Sequence, residues 1–154
     1  MYFELSVAIA RPPSDVFAFL RDKDVYPQPA DSPVLALEKT TPGAAGVGTR
    51  YREVVQMLPF ARGEMLSQIT RFEPPRYLEE DFHGAGMRGH LAYEFDPDGD
   101  GTVLIQRETL EPVGLLRLFS GLIERSLSAK LRERLDSIRD DLESGWKVNP
   151  GEGD

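Results

Sequence analysis

Apolar and polar residues alternate in short segments over the first two thirds of the chain. Phe3, Leu5, Val7 and Ile9 are separated by small or polar residues, so residues 2–10 predict a strand whose odd positions face inward. The same period of two predicts strands at residues 34–40, 49–57, 61–72, 77–83, 88–95 and 102–110. Short turns separate most of these segments, which favours an antiparallel meander.

The last third of the chain follows a helical period instead. Apolar residues recur at spacings of three and four, which is typical of one face of an α-helix. They are Leu115, Leu118, Phe119, Leu122, Ile123, Leu127, Leu131, Leu135, Ile138 and Leu142. We place Lys130 and Arg134 on the opposite, polar face. At 1.5 Å per residue the helix would be about 43 Å long, so it must lie across a broad surface.

The order of elements predicts an α+β fold. Two short helices, one capped by Ser14 and one over residues 22–26, follow the first strand. About seven strands then form one sheet, whose apolar face needs the long C-terminal helix as a cover. We expect a single domain over residues 1–144 and a flexible acidic tail over residues 145–154.

Composition excludes several classes of site and partner. The chain has no Cys and only two His, which excludes disulfides, thiolate chemistry and His-rich metal sites, and we predict no metal and no cofactor. A formal net charge of −8 disfavours nucleic acid as a partner. The N-terminus lacks the pattern of a signal peptide, and no apolar run approaches the ~18 residues that span a bilayer. We therefore expect a cytoplasmic protein.

Glu53 is the acidic residue with the most informative position. It lies on the same strand face as Tyr51 and Val55, where a carboxylate would face the interior and have a raised pKa. The alternatives are a salt bridge to an Arg of a neighbouring strand, or a bulge that turns Glu53 to solvent. Arg107 and Glu108 point to opposite faces of one strand, and the pattern leaves open which of them faces inward.

Aromatic and aliphatic residues provide candidate walls for a cavity. Tyr51, Tyr93 and Phe95 are candidates for the sheet side, and they would serve equally well as plain core. The helical side is assigned to the N-terminal part of the long helix, at Leu118, Phe119, Leu122 and Ile123. Its C-terminal part, residues 127–142, is expected to pack directly on the sheet.

Two other patterns have simpler interpretations. His83 and His90 flank the turn at residues 84–86 and could meet across a hairpin, but two ligands without a third rarely hold a catalytic metal. Residues 96–101 alternate Asp and Gly like the start of a calcium loop, but Arg107 occupies the twelfth position, where such a loop needs Glu. Exposed hairpin residues and a tight turn are the favoured interpretations.

Local motifs at several places along the chain point to a known superfamily. They occur at residues 9–22, 48–51, 72–78, 93–95, 101–102 and 131–143. With this element order, the chain resembles the START-like, birch-pollen-allergen-like superfamily, also called SRPBCC, and within it the polyketide cyclase/dehydrase-like branch. The resemblance implies a helix-grip fold, in which a curved antiparallel sheet wraps the C-terminal helix and leaves a cavity. It provides no family-wide catalytic motif, and no catalytic residue is assigned.

The first functional hypothesis is binding of a small apolar or amphipathic molecule, such as a lipid or aromatic polyketide, in that cavity. The alternative is a cyclase or dehydratase in which Glu53, Tyr51 or Tyr93 moves a proton. It requires at least two ionisable groups to converge inside a dry pocket. A third hypothesis is an interaction domain, a homodimer formed through a strand edge or the apolar segment at residues 58–60.

Overall fold

The computed structural model describes residues 1–25 and 32–147. Each predicted strand is present, with ends shifted by a few residues at most. The strands are β1 Tyr2–Ile9, β2 Val34–Lys39, β3 Arg50–Leu58, β4 Ala61–Glu73, β5 Tyr77–Gly84, β6 Met87–Asp98 and β7 Gly101–Pro112.

All seven strands belong to one antiparallel sheet with the order β1-β7-β6-β5-β4-β3-β2. Each of β2 to β7 pairs with its neighbour in the chain, as expected for a meander. β1 joins the far side, where Tyr2 pairs with Thr109 and Ile9 with Thr102. Register shifts near Gln56 in β3 and Ile69 in β4 mark bulges, which increase local bending of a sheet.

The helices lie before β2 and after β7. α1 spans Pro13–Arg21, with Pro at its first position, where the missing backbone N–H has no helical partner to lose. The second short helix is instead a turn through residue 25, and residue 26 lies outside the described residues. The predicted long helix is divided into a 3₁₀ helix, Gly114–Phe119, and α2, Ser120–Glu143.

The helix-grip arrangement is therefore confirmed: α2 lies across the inward face of the sheet and buries one apolar stripe. Its buried residues are Ile123, Leu127, Leu131, Leu135, Ile138 and Leu142. Trp146 follows α2 and packs edge-on against Phe19 of α1, with ring centroids 5.3 Å apart. Residues 148–154 of the expected tail lie outside the described residues, so the domain boundary at residue 144 stays a prediction. No helix in the described ranges is long and apolar enough to cross a membrane.

Candidate functional site

Three glutamates occupy inward-facing positions of the sheet. Glu53 lies between the buried residues Tyr51 and Val55 of β3. Glu80 of β5 and Glu108 of β7 have the same position between two buried neighbours of their own strands. Because side chains alternate between the two faces of a strand, all three carboxylates point toward α2. Ionisable groups are rarely placed in a protein interior without a partner or a function.

A cavity of about 80 Å³, measured as the space open to the centre of a water-sized sphere, lies between the sheet and α2. By that measure a single water needs about 10–15 Å³, so the cavity is large enough for several waters or for a small organic molecule. Most of the wall is apolar, from Pro33, Val34, Leu37, Val55, Met65, Phe82, Leu91, Leu110, Leu127 and Leu131. The polar lining comes from Lys23, Ser32, Glu53, Ser67, Glu80, Glu108, Lys130 and Arg134.

Lys23 connects the turn after α1 to the sheet. Its Nζ lies 2.9 Å from Oε1 of Glu53 and 2.9 Å from both carboxylate oxygens of Glu80. The same ammonium is 3.4 Å from Oγ of Ser67 and 4.4 Å from the centroid of the Tyr51 ring. The side chains of Lys23, Glu53 and Glu80 are only 12–13% exposed. One cation therefore holds two carboxylates from different strands together at the edge of the cavity.

The two carboxylates keep Lys23 charged in spite of its burial. Burial alone would lower the pKa of Lys23. The charges of Glu80 and Glu53 raise this pKa by more than burial lowers it, so the net shift is upward. Tyr51 lies beneath this ammonium, and burial raises the pKa of its hydroxyl. Neither group therefore exchanges a proton near neutral pH.

Glu108 differs from the other two carboxylates because no cation bonds to it directly among the described residues. Burial, together with smaller contributions from the charges of Glu80 and Glu53, raises its pKa to about 7. Arg134 and a hydrogen bond from Gln106 act against that rise; Nε2 of Gln106 donates to Oε2 of Glu108 at 3.1 Å. Near neutral pH, Glu108 is therefore divided between its acid and carboxylate forms.

Two more cationic side chains and two polar atoms complete the site. Arg134 and Lys130 line the cavity from α2, and in the described part of the chain neither forms a hydrogen bond or an ion pair. Arg134 also lines a smaller space of about 20 Å³, together with Tyr51 and Tyr93. Beside it, the hydroxyl of Tyr93 and Oε1 of Gln106 are buried without a hydrogen-bond partner. The site thus contains donors, and one acceptor, that the protein itself does not use.

Sequence comparison decides the family. Residues 2–143, nearly the whole chain, match the family described as polyketide cyclase / dehydrase and lipid transport. The chain belongs to this polyketide cyclase/dehydrase and lipid transport family. No curated protein sequence matches the chain significantly.

Several solved structures share the fold of this chain. A protein from Thermus thermophilus superposes with a TM-score of 0.74 at 19% identity, covering 94% of this chain and 98% of its own. A START superfamily protein from Mycobacterium smegmatis gives 0.65 at 14% identity, covering 89% and 98%. The Zhui aromatase/cyclase from a Streptomyces species gives 0.66 at 16% identity, covering 92% and 95%. Similarity at this level of identity establishes the fold alone.

Most of the sheet residues predicted to line a cavity do line the main cavity or the smaller space beside it. Glu53 and Val55 line the main cavity, and Tyr51 and Tyr93 line the smaller one. Phe95 is fully buried against Phe17 of α1, with ring centroids 5.1 Å apart, and lines neither space. Glu53 pairs with Lys23 rather than with an Arg of a neighbouring strand.

The helical side of this cavity comes from other residues than those predicted from the sequence. Leu118 and Leu122 are 79% and 53% exposed, Phe119 is 38% exposed, and none of these three lines the cavity. Ile123 is buried, but it too lies outside the lining. Leu118 and Phe119 belong to the 3₁₀ helix, whose three residues per turn depart from the α-helical period, whereas Leu122 lies on the exposed side of α2. The wall is built one to three turns later, by Leu127, Lys130, Leu131 and Arg134.

The remaining candidates lie outside the cavity. Arg107 faces outward and forms ion pairs with Glu4 and Glu94. Of the two neighbouring residues Arg107 and Glu108, Glu108 is therefore the one that faces inward. His90 lies beside carboxylates, with Nδ1 2.6 Å from Oδ1 of Asp81, and His83 is exposed. Residues 99–100 form the hairpin turn between β6 and β7. The described residues contain no cluster of three or more groups suited to a metal ion.

Sequence reasoning missed Lys23, Glu80, Lys130 and Arg134, although part of the signal was present. Glu80 breaks an apolar alternation between Leu78 and Phe82, in the way that marked Glu53. Arg134 follows Leu131 by three residues, so it lies on the apolar side of α2 rather than on the polar face. Lys23 follows the end of α1 in a turn, where no periodicity indicates its direction.

Proposed function

We propose that the protein binds a small amphipathic molecule in the cavity between the sheet and α2. The observation that carries the proposal is the division of the cavity wall into an apolar majority and a cluster of ionisable groups. Apolar walls with a few well-placed polar groups are typical of small-molecule sites, where the polar groups fix orientation. Family membership supports the same conclusion, since the family description includes lipid transport.

The tight ion pairs favour binding without covalent chemistry. Lys23 bridges Glu53 and Glu80 through short contacts, so the three side chains form a fixed polar floor. A fixed floor orients a ligand without reorganising around it, which reduces the entropic cost of binding. The apolar skeleton of the ligand would then replace water on Leu110, Leu127 and Leu131.

Native mass spectrometry of the protein, purified without denaturation from its expression host, tests this proposal. We expect an adduct with the mass of a small organic molecule that dissociates on activation, because the cavity has room for such a molecule. Thermal-shift assays against lipids and aromatic polyketides should give an increase in Tm. An experimental structure in which side chains fill the space beneath Leu127 and Leu131 would overturn the proposal.

A second candidate function, acid–base catalysis of a cyclase or dehydratase type, is favoured by Glu108. A group that titrates with a pKa of about 7 can both accept and return a proton near neutral pH. In a dehydration, Glu108 would take the proton from the carbon next to a carbonyl. It would then return that proton to the leaving hydroxyl, so that water is released. The unpartnered hydroxyl of Tyr93 lies in the adjoining smaller cavity.

A synthetic aromatic β-hydroxyketone tests this second function, because its dehydration produces an enone that absorbs in the near ultraviolet. We expect turnover that Glu108→Gln lowers at least a hundredfold, as is typical of a lost general base. Glu64→Gln, an exposed glutamate of β4, serves as the control. Equal rates for wild type and Glu108→Gln would contradict a catalytic role for Glu108.

A further inference from the structure

Arg134 is an arginine of the cavity wall that has no hydrogen-bonded or ion-paired partner among the described residues. Its side chain is largely buried and lines both cavities, yet among the described residues no hydrogen bond or ion pair reaches its guanidinium. The nearby acids are engaged elsewhere: Glu53 and Glu80 bind Lys23, and Glu108 accepts from Gln106. Its charge interacts with Tyr93, Glu53, Glu108 and Glu80 without a direct contact, so its N–H donors remain available to a group outside the chain.

The charges around the cavity identify the sign of that group. Lys23, Lys130 and Arg134 contribute three cations, whereas Glu53 and Glu80 contribute two carboxylates. With Glu108 in its acid form the cavity therefore carries one net positive charge. One anion neutralises it, and a second anion would reverse the sign.

We propose that the ligand is a small monocarboxylic acid whose carboxylate accepts hydrogen bonds from the guanidinium of Arg134, with its apolar skeleton on Leu110, Leu127 and Leu131. This inference rests on the proposed function and adds the chemical class of the ligand. The planar guanidinium offers two parallel donors to a carboxylate, which makes the contact selective for an acid over an alcohol or an amide. Lys130, four residues before Arg134 on the same side of α2, adds positive charge to the same wall.

Glu108 makes the binding depend on pH. The groups around the cavity are Lys23 after α1, Glu53 of β3, Glu80 of β5, Tyr93 of β6, Glu108 and Gln106 of β7, and Lys130 and Arg134 of α2. Of these, Glu108 has a pKa of about 7. Its acid form donates a hydrogen bond to a bound carboxylate, whereas its ionised form repels one. Affinity for the acid should therefore fall as the pH rises from 6 to 8.

Calorimetric titration with two matched pairs tests the inference: octanoate against octan-1-ol, and 2-naphthoate against 2-naphthamide. At pH 6 we expect at least one acid to bind ten times more tightly than its neutral partner. Arg134→Met should remove that preference. Arg134→Lys, which keeps the charge and loses the paired donors, should retain part of the preference. Arg125→Met is the control, because it removes the same charge from an exposed position of α2.

Three outcomes would overturn the inference, and they separate it from the proposed function. If acids and neutral partners bind equally well, or if folded Arg134→Met keeps the preference, the cavity binds ligands but the carboxylate assignment is wrong. If none of the four compounds binds at millimolar concentration, binding in this cavity fails together with the assignment. Thermal melts of each variant show whether it is folded. If the affinity for the acid does not fall between pH 6 and pH 8, Glu108 does not contact the bound carboxylate.

Discussion

Glu108 illustrates how one buried acid links the protonation of the cavity to the stability of the fold. Its pKa rises from 4.5 to about 7, so between these values the folded protein keeps a proton that the unfolded chain loses. The unfolded state therefore binds fewer protons, and the free energy of unfolding falls as the pH rises through this window. Above about pH 7 both states are ionised, and this contribution no longer changes.

Glu108→Gln should remove this pH dependence, because glutamine has nearly the same shape and no titrating group. We expect the variant to match the wild type near pH 5 and to exceed its free energy of unfolding at pH 8 by about 1–3 kcal/mol. Urea denaturation across pH 5–8 measures the difference. Exposed Glu64→Gln should reproduce the wild-type profile. Parallel profiles for Glu108→Gln and the wild type would show that Glu108 titrates as an ordinary surface acid.

Lys23 is the residue whose loss should cost most, because two carboxylates depend on it. Lys23→Met leaves Glu53 and Glu80 close together, largely buried and uncompensated, which should lower the free energy of unfolding by about 3 kcal/mol. Arg52→Met removes one partner of an exposed ion pair with Glu38 and should cost less than about 1 kcal/mol. Urea denaturation of the two variants compares them directly.

A rescue variant distinguishes the charges from the packing of the Lys23 side chain. Adding Glu53→Gln and Glu80→Gln to Lys23→Met removes the uncompensated carboxylates, so it should recover most of the lost stability. If the triple variant is as unstable as Lys23→Met alone, the aliphatic stem of Lys23 rather than its charge is what the fold requires.

Among the elements, the β5–β6 hairpin shows how a missing side chain shapes the cavity. Gly89 of β6 pairs with Phe82 of β5, and the Phe82 ring occupies the space where a Cβ at residue 89 would lie, with Cζ 2.6 Å from that position. A Cβ would also collide with the carbonyl oxygen of Thr109 in β7. Since Phe82 lines the cavity, the glycine determines how far this aromatic wall retreats into the sheet.

Gly89→Ala should therefore lower the free energy of unfolding by about 1–3 kcal/mol, because neither the strand nor the ring has room to move freely. Gly121→Ala, near the start of α2 with open space around it, should be neutral or raise that free energy by up to about 1 kcal/mol. Urea denaturation with unchanged m-values would establish both effects as changes in stability. A neutral Gly89→Ala would mean that the sheet adjusts at this point without strain.

The sequence predicted these elements well because strand and helix periods are local properties of the chain. Alternation located each of the seven strands, and inward Glu53 was a direct consequence of the same rule. The 3₁₀ segment escaped prediction because its leucines continue the α-helical spacing. In the structure, Leu116 of this segment packs against Gly86, a contact between distant parts of the chain. The position of Lys23 depends on a turn and on contacts with distant strands, which a local pattern does not contain.

On the scale of the whole molecule, the interior beneath α2 is open at one place and filled at another. Leu127 and Leu135 are two turns apart on α2 and both are buried, but only Leu127 lines the cavity. Leu127→Phe should place its extra atoms in the open space, with a change in the free energy of unfolding below about 1.5 kcal/mol. Leu135→Phe enters a filled core and should cost about 1–3 kcal/mol through overpacking.

The increase in Tm on ligand binding also distinguishes the two variants. A ligand that binds only the folded state stabilises it by about 2.7 kcal/mol at a hundredfold excess over Kd. For a chain of this size such a gain raises Tm by about 5–10 °C. Leu127→Phe should lose most of that shift, since its ring occupies the ligand's space. Leu135→Phe should keep the shift from a lower starting Tm. Scanning calorimetry with octanoate at pH 6 measures both. Equal penalties for the two substitutions, with equal ligand shifts, would place the ligand outside this cavity.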